Sequence, residues 1–129
     1  MTVNIRFITL QEVISIHVDQ IKRYGGKSGI RDINLLSSAI AMPESSFRNQ
    51  YLHISLFDKA AAYLFHICQN HPFFDGNKRT ALATCLMFLE LNNIDTSDPK
   101  CKLYDITMAV SKGKITIKDI SHQLKKLFG

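Results

Sequence analysis

The sequence predicts an all-α protein: one compact bundle of about six helices, with two apolar helices at its centre. Three observations carry this. Apolar residues recur at helical spacing along nearly the whole chain. Helix-start patterns precede those stretches, the clearest being Thr9-Leu-Gln-Glu12, a capping-box signature. No repeat, linker or low-complexity segment divides the 129 residues, so residues 1–129 read as a single domain.

The elements follow in order. A short extended start, "VNIRFI", leads to Thr9, and behind it Val13, Ile14, Ile16, His17 and Ile21 keep a helical stripe. Gly25-Gly26 ends that helix. Asp32 caps a second, shorter one through "INLLSSAIA", which Pro43 closes. Residues 43–54, "PESSFRNQYLHI", show no clear period and read as a connection. Ser55-Leu-Phe-Asp58 opens the third helix, with Asp58 near the positive end of the helix dipole. "KAAAYLFHICQN" continues it, apolar on most sides as a central helix must be. The residue before Pro72 stops it. The fourth helix, "NKRTALATCLMFLELNN", is apolar around most of its surface from Ala81 to Leu91. "NNIDTSDPK" then breaks the chain, and "LYDITMAVSKG" and the segment from Thr116-Ile-Lys-Asp119 onward supply two amphipathic helices.

Composition narrows the functional classes. Hydrophobic content of 46% with 21% charged residues is that of an ordinary globular domain. A net charge of +5 favours acidic partners such as nucleotides, nucleic acid or an acidic protein. Cys68, Cys85 and Cys101 form no C-x-x-C pair, and their odd number suits reduced thiols rather than a disulfide framework. Residues 1–20 lack a basic leader, and nowhere do about 18 apolar residues run together. The expectation is a cytoplasmic protein with no membrane partner. The late lysines, Lys112, Lys114, Lys118, Lys125 and Lys126, read as a solvated face. Without a recognition-helix or zinc-finger pattern, no direct DNA binding is expected.

One stretch departs from this ordinary picture. "HPFFDGNKRT", His71 to Thr80, sets Lys78 and Arg79 in the first turn of the fourth helix, where the macrodipole is already positive and cations cost about 0.3–1 kcal/mol each. The first-turn N–H groups of Gly76, Asn77 and Lys78 form an anion nest, and Gly76 lets the backbone approach a phosphate closely. Lys78 adds a point charge and Arg79 a forked donor. Asp75 is the carboxylate beside bound phosphates that suits Mg²⁺. His71 brings imidazole, which titrates near neutrality, to the mouth of the loop. A base, a metal carboxylate and a phosphate cradle suffice for transfer of a phosphorus group to a hydroxyl. Phe73 is expected to turn into the core and pin the loop to the third and fourth helices. Taken singly, Asp75-Gly76 is also a common turn or cap and His71-Pro72 a helix stop. Capping, however, gains nothing from Lys78 and Arg79. His17, His53, His66 and His122 fit no metal spacing and read as packing or surface residues.

"HPFFDGNKR" resembles the signature of the Fic/Doc family, H-x-F-x-[D/E]-G-N-G-R-x-x-R in its Fic branch and H-x-F-x-D-A-N-K-R in its death-on-curing (Doc) branch. "RYGGKSGIRD", Arg23 to Asp32, resembles the family's R-Y-G-G-x-x-G segment, and the resemblance extends over most of the chain. Lys78 stands where Fic enzymes have a second glycine and Leu82 where they have a final arginine, the two positions that seat a nucleotide for AMP transfer. The resemblance therefore favours the Doc branch, with γ-phosphate transfer, over a Fic-type adenylyltransferase. It implies His71 as the base, Asp75 on Mg²⁺, and Gly76, Asn77, Lys78 and Arg79 around the phosphates of ATP, Arg79 also neutralising growing charge. It implies elongation factor Tu as the target, with translation arrested, and a Phd-type antitoxin whose C-terminal segment folds as a helix along a groove of the toxin. It also suggests that the 43–54 segment, with Phe47 and Tyr51, is a flap docking the target by strand addition. A non-enzymatic translation-blocking protein that binds anions through the same nest is the alternative from another class.

Overall fold

A computed structural model describes residues 4–96 and 102–129, with the backbone alone at Lys102. Its helices are α1 (Leu10–Tyr24), α2 (Ile33–Ala41), α3 (Leu56–Asn70), α4 (Asn77–Leu91), α5 (Lys102–Ser111) and α6 (Ile117–Phe128). The expected all-α architecture with six helices is present.

Local chemistry explains where these helices start. Thr9 Oγ1 accepts from the Glu12 amide at 3.2 Å while Glu12 Oε1 accepts from the Thr9 amide at 2.9 Å, so the box at the head of α1 is closed both ways. Ser55 with Asp58 at α3, and Thr116 with Asp119 at α6, close the same reciprocal pair. Asp32 Oδ1 accepts from Asn34 and Leu35 amides, both at 3.0 Å, and caps α2. Gly25, at φ 83°, ends α1.

α3 and α4 are the central pair. α3 packs along α4, α6, α2 and α5, while α4 also touches α1 and α5. From Lys59 to Leu64 and again at Ile67 and Cys68, α3 is buried. The core gathers Val13, Leu36, Tyr63, Phe73, Phe88, Val110, Ile120 and Leu124, all fully buried or nearly so. Arg6 pairs its backbone with the Asn92 amide in both directions at 2.9 Å, tying the extended start to the end of α4. Cys68 and Cys85 are free and buried, and burial pushes the Cys68 thiol up to about 12. Cys101, and residues 97–100 of the expected break, lie outside the described residues. No helix among the described residues is long and apolar enough to cross a membrane.

The connection after α2 holds more order than its sequence pattern suggests. Met42–Glu44 forms a 3₁₀ turn, and β1 (Ser46–Phe47) pairs antiparallel with β2 (Gln50–Tyr51), Ser46 opposite Tyr51 and Phe47 opposite Gln50. Arg48 and Asn49, at φ 52° and 64°, make the two-residue turn. Strands of two residues are too short to show alternation, and all four strand residues are exposed, so no period marks them. The buried ammonium of Lys59 supports the hairpin's base. It donates to the carbonyls of His53 and Ile54 (2.7 Å to the latter) and lies 4.2 Å from the Tyr51 ring centroid.

Candidate active site

α3 ends at Asn70, and His71 takes a left-handed conformation, φ 50° and ψ 53°. For a residue with a Cβ this costs about 1 kcal/mol or somewhat more, so neighbouring groups must hold it. Pro72 prevents a further turn. Phe73 is 1% exposed, its ring 3.8 Å from the His17 ring, and Ile30 bridges it across an antiparallel pair. Its partner ring therefore comes from α1. Asn77 Oδ1 accepts from the Phe73 amide, and Asn77 Nδ2 donates to the Phe73 carbonyl, both at 2.9 Å. The buried Asn77 side chain thus folds the loop back upon itself. Its side chain is therefore committed to the loop.

The glycine-rich segment after α1 holds Asp75. Lys27 donates its amide to Asp75 Oδ2 at 3.1 Å, and Gly76 donates its amide to Asp75 Oδ1 at 2.9 Å. A Cβ on Gly26 would stand 2.7 Å from Asp75 Oδ2, so glycine is required for that approach. Buried His17 places Nε2 3.2 Å from the Asp75 carbonyl. A carbonyl only accepts, so this nitrogen carries the proton. The Lys27 amide, then the Gly76 amide, with Arg79 and His71 adding positive charge, hold the Asp75 carboxyl below its ordinary range.

The start of α4 differs from those of α1, α2, α3 and α6. Gly76, left-handed at φ 72°, is its N-cap; it offers no side-chain cap, and the first turn holds no acid. The Gly76 amide is taken by Asp75, and the first bond of the helix runs from the Thr80 amide to the Gly76 carbonyl at 2.9 Å. The amides of Asn77, Lys78 and Arg79 precede that bond and have no intrahelical partner. Lys78 and Arg79 stand exposed beside them, and the Arg79 guanidinium lies 4.7 Å from the Tyr24 ring centroid.

These residues enclose a cavity of about 290 Å³, lined by His71, Phe74, Asp75, Gly76, Asn77, Lys78, Arg79 and Tyr104. All six candidates from the sequence therefore meet at one opening, although Gly76 and Asn77 use an amide and a side chain, respectively, to build the loop. Tyr104 was not foreseen. It sits on α5, and only the packing of α5 on α4 brings it here. His17 is the packing residue expected of it, stacked on Phe73, but its bond to the Asp75 carbonyl and the bonds of Arg31 to the same loop were not foreseen. Nothing in their sequence neighbourhood signals their contacts with a loop more than 35 residues away. The Tyr24 contact has a local sign, since Tyr24 directly precedes the glycine pair. Among the described residues no three histidine, cysteine or acidic side chains cluster for a metal, leaving Asp75 as the carboxylate at this opening.

Comparison with known proteins gives concordant matches. The family model described as Fic/DOC family matches residues 7–89. The chain is 34% identical over 125 residues to "Protein kinase doc" of Escherichia phage P1, covering 96% of this chain and 97% of that protein. It is 41% identical over 71 residues to "Toxin Doc" of Mycolicibacterium smegmatis, 55% of either chain. The span matched by the family model contains both the glycine-rich segment and the loop from His71 to Arg79.

Proposed function

Because the chain belongs to the Fic/DOC family, we propose that it is a toxin of the Doc type, a kinase that moves the γ-phosphate of ATP to a hydroxyl of a translation factor. Elongation factor Tu is the target this reading names. A Phd-type antitoxin with an acidic C-terminal helix is the partner that restrains it. The observation that carries the proposal is the open N-terminus of α4. Three amides without an intrahelical partner and two cations stand at a cavity that a carboxylate, Asp75, and an imidazole, His71, also line.

The residues divide the work by chemistry. His71, at the cavity mouth, accepts the proton of the incoming hydroxyl, leaving an oxygen able to attack phosphorus. The amides of Asn77, Lys78 and Arg79 bind phosphate oxygens along the helix dipole. Lys78 and Arg79 neutralise the charge that gathers on the transferred group and on the departing diphosphate. Tyr24 holds the Arg79 guanidinium in place by its ring face. Asp75 fits a divalent cation: each of its oxygens accepts one amide and retains a further lone pair directed elsewhere. When bound there beside phosphates, Mg²⁺ would supply charge neutralisation while keeping most of its waters.

The test uses purified protein, elongation factor Tu, and ATP labelled at either the γ or the α phosphate. Label transferred from the γ position is expected. Transfer from the α position alone would identify adenylylation instead, and no transfer with RNA binding of steep salt dependence would point to a non-enzymatic anion-binding protein.

A further inference from the structure

We infer that Arg31 is a positioning residue for His71, a guanidinium that aims the base from outside the cavity; this rests on the reading of His71 as the base.

α3 has no cation of its own in its last turn, where carbonyl groups gather partial negative charge. Arg31 brings one from elsewhere in the chain. Its Nε donates to the His71 carbonyl at 2.8 Å, and its Nη2 donates to the Asn70 carbonyl at 3.2 Å. The Arg31 and Asp32 amides both donate to the Pro72 carbonyl, at 2.7 and 3.0 Å. Three consecutive carbonyls, of residues 70, 71 and 72, are thus held by one pair of residues.

This grip acts on the backbone angles that orient the base. His71 is left-handed without glycine's freedom, so its ψ persists only while the plane of the peptide that follows is held. Arg31 holds the oxygen of that peptide. The flat fork of a guanidinium reaches two neighbouring carbonyls at once, which the single ammonium of lysine does less well. The clamp itself is anchored. Asp32 accepts the Asn34 and Leu35 amides at the start of α2, and Asn70 Nδ2 donates back to the Leu35 carbonyl at 2.9 Å. Arg31 is exposed and does not line the cavity, so its removal opens no core and deletes no ligand contact. Its loss should disturb the direction of His71 and spare the grip on phosphate.

The experiment compares Arg31→Met, Arg31→Lys and a distant control, Lys126→Met. Three quantities are read: the His71 imidazole NMR resonance in nucleotide-free protein, assigned by its absence in His71→Ala; the calorimetric affinity for MgATP; and the transfer rate at saturating MgATP. For Arg31→Met the resonance should shift and broaden, affinity stay within about twofold, and kcat fall about 10- to 100-fold, the scale of a small misplacement of a reacting group. Arg31→Lys should recover part of that loss, and Lys126→Met should change none of the three. An unmoved His71 resonance in Arg31→Met overturns the inference, as does a loss of affinity that accounts for the loss of rate. Should Arg31→Met fail to fold by circular dichroism, Arg31→Lys decides: a shifted resonance supports the inference and an unmoved one overturns it. If wild-type protein transfers nothing, the proposed kinase activity fails, while the resonance still reports on Arg31.

Discussion

α3 and α4 are both 15 residues long and pack against each other at the centre, yet their N-termini are built in opposite ways. α3 closes its own start. Ser55 and Asp58 exchange hydrogen bonds, and the other Asp58 oxygen takes the Ser121 hydroxyl at 2.5 Å. α4 starts on a left-handed glycine, without a cap or an acid, and adds two cations to an end that is already positive. The difference teaches that one helix can close its start locally while its neighbour leaves its first amides uncapped, at the end where the proposed nucleotide would bind. The surrounding packing supports the open end. Asn77 locks Phe73, and the glycine-rich segment that follows α1 holds Asp75.

The sharpest way to break this contrast lies at the open end. His71→Ala should lower phosphoryl transfer to elongation factor Tu about 10²- to 10⁴-fold, the usual worth of a general base. The melting temperature and circular dichroism should stay close to those of the parent. Full activity in this variant would remove His71 from its role.

Exchanging the two designs gives a smaller, two-signed effect. Lys78→Glu supplies α4 with the kind of residue α3 carries. Calorimetry should show MgATP affinity falling by more than tenfold, while thermal stability holds or rises by about 0.3–1 kcal/mol from the dipole alone. Ser55→Ala should do the reverse at α3, costing about 1 kcal/mol of stability with MgATP affinity unchanged. If both variants moved stability and affinity in the same direction, the division between closed and open ends would be wrong.

Acid should expose the closed ends more gently. The hydrogen bond from Arg6 leads in holding Glu12 down to about 2. Burial pushes Asp58 up, but the Ser121 and Ser55 bonds outweigh it and leave its carboxyl lowered; at Asp119 the Thr116 amide leads the same way. A carboxyl lowered on folding contributes stability above its unfolded value, about 4. That contribution is lost as the pH falls through the folded value. Burial also lowers His17, His53 and His66, which favours the folded state only while they are neutral, so the melting temperature should fall gently from about pH 7 to 5 in every variant. Below about 4.5 the carboxylates add a steeper decline, shallower in Glu12→Gln.

Much of the fold is legible in the sequence because its signals act within four residues. Thr9, Ser55 and Thr116 each meet their acid three positions on, and Asp32 reaches the amides of Asn34 and Leu35. The candidate site was legible for a similar reason: His71 to Arg79 are contiguous, and the family signature coincides with them. The hairpin at 46–51 was not legible as structure, since two exposed residues per strand carry no period. Its order comes from the turn at Arg48-Asn49 and from Lys59 below it.

The sequence by itself determined the helices, their caps and the chemical character of the loop, because capping and helical period are short-range properties of adjacent residues. Tertiary structure alone decided that Tyr104 reaches the cavity, that His17 and Lys27 hold Asp75, and that Arg31 grips the carbonyls behind His71. Those contacts join residues 25 or more positions apart, so they exist only once the packing of α3 and α4 has set the distances between them.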